Sequence, residues 1–248
     1  MARHPIYQFY TELDGYKPII WRRFQVGGGV SMARLAYILM TMFEMKANHL
    51  FAVEMLQDEE DENLAEDTTP EFNKIYRFEI LNGETDAEQD DRLVLLDATE
   101  HTLFRTFSAS LGRLAFIYDF GDDWRVFLTL EKVFRDKNLS DRELPRVLEG
   151  AGYGIVEDCG GISGLEELVR AFKKQKGKAY KEFSKWLETD NFNISAFDID
   201  DMNFRLKKVP RIYAELYERS IAPTKQSVDL LERKYLKKRK KVEKTVNV

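Results

Sequence analysis

Residues 6–45 read IYQFYTELDGYKPIIWRRFQVGGGVSMARLAYILMTMFEM, and the change of pattern inside that stretch decides the fold class. Residues 6–13 (IYQFYTEL) and 19–26 (IIWRRFQV) are rich in aromatic and β-branched side chains, with Asp14, Gly15 and Pro18 between them, which predicts the two strands of a hairpin. Gly27, Gly28 and Gly29 break the strand pattern. Ser31 then stands where an N-cap belongs, and Leu35, Ile38, Leu39, Met42 and Phe43 recur at helical spacing, so a helix is expected over residues 32–45.

The same two patterns continue along the chain. Residues 49–56 (HLFAVEML) and 74–81 (KIYRFEIL) are expected strands on either side of an acidic run, and residues 97–108 an expected helix with Leu103, Phe104 and Phe107 inward. A second hairpin is predicted from residues 113–118 (RLAFIY) and 124–134 (WRVFLTLEKVF), joined by the turn Asp119-Phe120-Gly121-Asp122-Asp123. After a glycine-rich loop over residues 150–164, helices are expected at 165–175, 179–187 and 210–219, the last with Pro210 in its first turn. Strands first and helices later, with no βαβ alternation, predicts an α+β fold: a mainly antiparallel sheet, a packed N-terminal helix and a helical C-terminal third.

Composition narrows the class. At 248 residues, 44% apolar and 33% charged, the chain is neither disordered throughout nor a disulfide scaffold, and its single cysteine, Cys159, excludes an intramolecular disulfide. No run approaches the roughly 18 to 20 apolar residues of a membrane span, and MARHPIYQFY lacks the apolar run of a signal peptide, so a cytoplasmic location and no membrane partner are expected. The net charge of −5 hides an asymmetry: residues 225–248 hold nine Lys or Arg against three acids, a net of +6, which leaves −11 for the preceding 224 residues. Pro223 and Thr224 mark the boundary, giving one domain over residues 1–222 and a basic tail over 223–248, in which Val228, Leu231 and Tyr235 share a helical face. Two acidic runs, residues 58–67 and 84–91, read as solvated loops, and the first lacks the glycine a calcium loop needs.

Four segments, in order, resemble the plasmid pRiA4b ORF-3-like family: Lys17-Pro18-Ile19-Ile20-Trp21-Arg22-Arg23, His49-Leu50-Phe51, Tyr118-Asp119-Phe120-Gly121-Asp122-Asp123-Trp124, and Glu157-Asp158-Cys159-Gly160-Gly161 with Gly164 and Leu165 after it. Together they span about residues 6–205. The resemblance implies a shared intracellular fold and assigns no activity. The transposon resolvase-like label attached to such proteins has no counterpart in these residues, since no serine stands in an arginine-rich constellation. Val126 stands where the family has histidine, and Ile155 and Val156 where it has prolines. The missing histidine weakens a metal reading.

The carboxylates of Asp119, Asp122 and Asp123 are the best chemical candidates: converging, they would hold a divalent cation such as Mg²⁺ or Mn²⁺ through oxygen, whereas turned inward they cap their own backbone. Glu157 and Asp158 precede two glycines, and both an acidic pocket shared with the Asp119 turn and a purely glycine-shaped loop fit that pattern. His49 would add an imidazole to such a pocket, or serve packing alone. Trp124 closes the turn. Trp21 and Arg23 share one strand face with Arg22 on the other, so one arginine could clamp an anion, or both pair with the acidic turns. Cys159 has only His4, His49 and His101 as possible activating partners, and a lone cysteine argues poorly for a nucleophile. No phosphate loop follows Gly27–Gly29, and Gly161-Ile162-Ser163-Gly164 misses the nucleophile elbow by one position.

Lys237, Lys238, Arg239, Lys240 and Lys241 form a run dense enough to hold nucleic acid or an acidic protein surface. Two functions are therefore expected from different classes. The first is a non-catalytic binding or adaptor protein with an acidic pocket lined by Arg22, Arg23, His49, Asp119, Asp122, Asp123, Trp124, Glu157 and Asp158, its tail binding a polyanion. The second is a divalent-metal phosphoester hydrolase using the acidic turns. Convergence of those carboxylates separates the two. Whether the protein is an enzyme stays open at this level.

Overall fold

The two hairpins and the first helix form where the side-chain pattern places them, and they assemble as one sheet with helices against it. The computed structural model describes residues 3–56, 74–81, 92–107 and 113–236. Strands β1 (Ile6–Leu13) and β2 (Trp21–Gly27) pair in antiparallel register, Phe9 opposite Phe24 and Glu12 opposite Trp21. Helix α1 (Met32–Met42) follows, with Ser31 capping the Arg34 N–H. Strands β3 (Phe51–Leu56), β4 (Ile75–Glu79) and β5 (Leu93–Asp97), the single-turn helix α2 (Leu103–Thr106), and strands β6 (Arg113–Tyr118), β7 (Trp124–Phe134) and β8 (Arg146–Ala151) complete the sheet region. Its order is β5-β4-β3-β6-β7-β1-β2-β8. Every pairing is antiparallel except β4 with β5. The C-terminal third is helical: α3 (Gly161–Lys174), α4 (Lys178–Trp186), α5 (Ile199–Leu206), α6 (Val209–Arg219) and α7 (Lys225–Leu231). The α+β class holds.

Ten of the eleven residues of helix α1 are buried, all but Arg34, so it must be covered on nearly every side. The sheet covers one side through β3 and β4, and α5 and α6 cover the other. Its end sets up the site: after the Phe43 cap the chain turns through Glu44 (φ 63°) and Ala47 (φ 65°) in left-handed conformations and delivers His49 to the mouth of β3. His49 therefore precedes the strand rather than beginning it.

Three local differences from the sequence expectations have physical causes. The helix expected over residues 97–108 shrinks to Leu103–Thr106, because residues 93–97 are drawn into a parallel pairing with β4 and Ala98 donates its N–H to the Glu79 carbonyl at 2.8 Å. Strand β8 and helix α5 carry no strong periodicity of their own. They form where β2 offers a free edge and where Met202 and Leu206 find the core. Past Pro223, Thr224 caps α7, and Arg233 and Tyr235 dock onto the body, so Tyr235 does not share a helical face with Val228 and Leu231. Tyr235 lies beyond the end of that helix. The acidic runs at 58–67 and 84–91, and the Lys237–Lys241 run, lie outside the described residues.

Candidate functional site

The turn between β6 and β7 is stitched together by its own aspartates. Asp119 (φ 58°) and Asp123 (φ 50°) take left-handed conformations that aspartate tolerates. Asp119 Oδ1 accepts the backbone N–H groups of Gly121 at 3.1 Å and Asp122 at 3.4 Å. Both carboxylate oxygens of Asp123 accept the Arg125 Nε–H at 3.0 Å, out in solvent. Trp124 is fully buried and packs in the core. Asp122 Oδ2 is buried without a hydrogen-bond partner among the described residues.

The glycine-rich loop folds directly against this turn. Asp158 (φ 61°), Gly160 (φ 90°) and Gly161 (φ 65°) are all left-handed. A Cβ on Gly161 would stand 2.8 Å from the Asp122 carbonyl oxygen, and one on Gly164 only 1.6 Å from that of Cys159. Glycine is thus required for the close approach. The contact brings Asp158 Oδ1 to 3.1 Å from His49 Nε2, while His49 Nδ1 stands 3.5 Å from Asp119 Oδ2. One imidazole bridges the two loops.

Glu157 lies beneath that bridge, 4% exposed. Its Oε1 accepts the Lys46 backbone N–H at 2.6 Å and the Tyr118 hydroxyl, and its Oε2 accepts the Asn48 side-chain amide at 2.7 Å. Burial, and secondarily the Glu157 charge, raise the Tyr118 hydroxyl far above the ordinary tyrosine range, so it stays a proton donor. The Tyr217 hydroxyl donates to the His49 carbonyl, fixing the backbone there.

The ligand-type atoms of His49, Glu157 and Asp158 lie within 4.8 Å of one another. Asp119, Asp122 and Asp123 make no such cluster among the described residues. A nitrogen and two carboxylate oxygens form a donor set suited to Mn²⁺ or Zn²⁺. Cys159 supplies no thiolate: burial, with the nearby Asp122 charge, pushes it up to about 12, and its Sγ–H points to the Gly161 carbonyl at 3.6 Å.

The two arginines are engaged elsewhere. Arg22 is fully buried and donates to the carbonyls of Trp21, Ala151 and Gly152 at 2.7 Å and of Tyr153 at 2.9 Å, with Phe197 and Phe43 rings at 4.2 and 5.5 Å from its guanidinium. It clamps the end of β8. Burial pulls it down to about 10. Arg23 lies on the outer sheet face between Glu131 and Glu149, at 2.8 and 2.6 Å, and Trp21 stacks on Tyr10 there. Neither arginine reaches the acidic turns. Sequence reasoning missed Lys46, Asn48 and Tyr217, which hold the site through backbone and amide groups and carry no motif. It quoted Tyr118 without a role, although its place directly before Asp119 was the available signal.

The comparisons with known proteins agree with this architecture. The chain is similar to the uncharacterized protein y4hQ of Sinorhizobium fredii (strain NBRC 101917 / NGR234), 25% identical over 197 residues that cover 77% of this chain and 85% of that protein. Its fold is similar to the crystal structure of a protein of unknown function, MM3350, from Methanosarcina mazei Go1, with a TM-score of 0.62 at 24% identity, covering 81% of this chain and 98% of that one. Among the described residues no helix is long and apolar enough to cross a membrane. Residues 5–201 match the plasmid pRiA4b ORF-3-like protein family, and the chain belongs to that family.

Proposed function

We propose that this protein is a non-catalytic, cytoplasmic binding protein that takes a divalent cation at the rim formed by His49, Asp158 and Glu157, with Asp119 orienting the imidazole. The observation that carries the reading is the gathering of one imidazole nitrogen and two carboxylates within 4.8 Å, on loops held by tight glycine contacts. The non-catalytic part is supported by how the neighbouring groups are used. Glu157 already accepts three donors, Asp119 caps its own turn, Asp123 pairs with Arg125, and the Cys159 thiol is held protonated. No free general base remains near the rim among these groups. The basic run Lys237, Lys238, Arg239, Lys240 and Lys241 adds affinity for a polyanion, either nucleic acid or an acidic protein.

A thermal-shift titration with Mg²⁺, Mn²⁺, Ca²⁺ and Zn²⁺ tests the rim, because a ligand that binds only the native state raises its Tm. A saturable rise with Mn²⁺ or Zn²⁺ that disappears in His49→Ala and Asp158→Asn is expected. No shift with any ion would refute cation binding, and metal-dependent hydrolysis of a phosphodiester such as bis-p-nitrophenyl phosphate would favour the hydrolase reading instead. The tail is tested by DNA and RNA binding at low salt, which should fall when residues 237–248 are removed.

A further inference from the structure

On the α5 and α6 side of α1, the chain beyond residue 219 closes over a second polar cleft. Helix α7 has no buried residue, and it bridges a cavity of about 620 Å³ walled by Phe204, Arg211 and Tyr235 among others. Two further cavities, about 380 and 390 Å³, share Glu44, Tyr153 and Arg233 in their walls. Leu230 and Leu231 pack against the core, and the remaining anchors of this segment are polar. Those contacts converge on one side chain. Both terminal nitrogens of Arg233 donate to the carboxylate of Glu44, Nη2 at 2.5 Å, and Nε donates to Asp201 Oδ2 at 2.7 Å. Tyr235 donates to the other Asp201 oxygen at 2.5 Å, and Arg205 holds the end of α7 through the carbonyls of Leu230 and Leu231 at 3.0 and 3.2 Å.

The receiving groups differ from the inserted one in an informative way. Glu44 and Asp201 lie in the family-matched region, residues 5–201, and Arg233 lies outside it. The side chains of Glu44 and Asp201 are only 5% and 8% exposed, and Glu44 is presented from a left-handed backbone turn. Arg205, 2% exposed, stands 3.6 Å from Glu44, so that buried carboxylate keeps a counter-charge without Arg233. Three nitrogens of one planar group are matched by two fixed carboxylates. A lysine ammonium is a single point and cannot span that geometry.

We propose that the Glu44–Asp201 cleft is a guanidinium site for an arginine side chain on a peptide or protein partner, and that residues 221–236 fill it in cis with Arg233 as a displaceable stand-in. The adjoining cavities then receive the residues flanking the incoming arginine. Its ligating carboxylates are not those of the His49 rim, although the 380 Å³ cavity reaches Lys46 and Glu157, and the substitutions below leave His49, Glu157 and Asp158 untouched.

The test uses the full chain carrying Arg233→Ala, titrated calorimetrically with N-acetyl-arginine amide and N-acetyl-lysine amide. The opened chain should bind the arginine probe at least tenfold more tightly than the wild type does, and at least tenfold more tightly than it binds the lysine probe. Glu44→Gln in the same background should abolish binding. A folded Arg233→Ala chain, judged by near-ultraviolet circular dichroism, that binds neither probe or both equally overturns the proposal. If that chain loses its fold, the wild type answers instead: hydrogen exchange across residues 225–236 should quicken with the arginine probe and not with the lysine probe. Exchange unchanged by either probe overturns it.

Discussion

The Tyr118 hydroxyl donates to Glu157 Oε1 and so ties the last residue of β6 to the loop that enters α3, while the Asn48 backbone N–H donates to the same hydroxyl oxygen at 3.0 Å. One buried carboxylate thereby joins the end of α1, the mouth of β3, the end of β6 and the glycine-rich loop. The rim above it inherits its geometry from this junction.

Removing the junction should unfold the site from below. Glu157→Ala leaves the Lys46 N–H, the Asn48 amide and the Tyr118 hydroxyl without their acceptor and should cost about 3–5 kcal/mol, whereas Tyr118→Phe removes one donor and should cost about 1–2 kcal/mol. Urea unfolding measures both. A Glu157→Ala loss below that of Tyr118→Phe would contradict the role assigned to the carboxylate.

Arg22 should tolerate no replacement by lysine. Four carbonyls converge on its guanidinium, and an ammonium group cannot reach them all, so Arg22→Lys should cost about 3 kcal/mol and loosen β8. Hydrogen exchange over residues 146–153 should rise with it. Protection equal to the wild type would show that the clamp is dispensable.

The acidic turn should respond unequally to its aspartates. Asp119→Ala loses two backbone caps and a residue suited to its left-handed conformation, and should cost about 1–2 kcal/mol. Asp123→Asn breaks only an exposed ion pair with Arg125 and should stay within about 0.5 kcal/mol. Comparable losses in the two variants would mean that the Asp123 pair matters more than its exposure allows.

Cys159 should be a poor nucleophile in the native state. With its thiol pushed from 9.0 up to about 12, the thiolate fraction near pH 8 falls about a thousandfold below that of an ordinary thiol, and modification by iodoacetamide should be correspondingly slow until the chain is unfolded. The sign for stability follows. The unfolded thiol ionises first as pH rises, so the contribution held by the protonated native form is intact below about pH 9 and is lost between there and about pH 12. Cys159→Ser should flatten that alkaline slope, and thermal unfolding from pH 8 to 11 would reveal an unchanged slope as the contrary result.

Much of the fold was legible because hydrophobic periodicity reports each residue's immediate surroundings. The aromatic and β-branched runs of residues 6–13 and 113–118, the apolar face of residues 32–42, the Ser31 cap and the aspartate-rich turn all follow from neighbours a few positions apart. The glycines after Cys159 announced a tight loop in the same way. Periodicity could not announce β5, β8 or α5, whose short segments take their form from a pairing edge or an opening in the core.

The class of fold, the order of its main elements and the stock of chemical groups in its loops are therefore written in the local pattern. Tertiary structure alone decided which of those groups meet: His49 with Asp158 across 109 positions, and Arg233 with Glu44 across 189. It also turned Arg22 from a possible anion clamp into an internal strut, and made Glu157 the acceptor at a four-way junction beneath the rim. The physical reason is that local pattern records whether a side chain faces apolar matter or water. The partner of a buried charge is set by strand register, by helix packing and by the few glycines that let two loops touch.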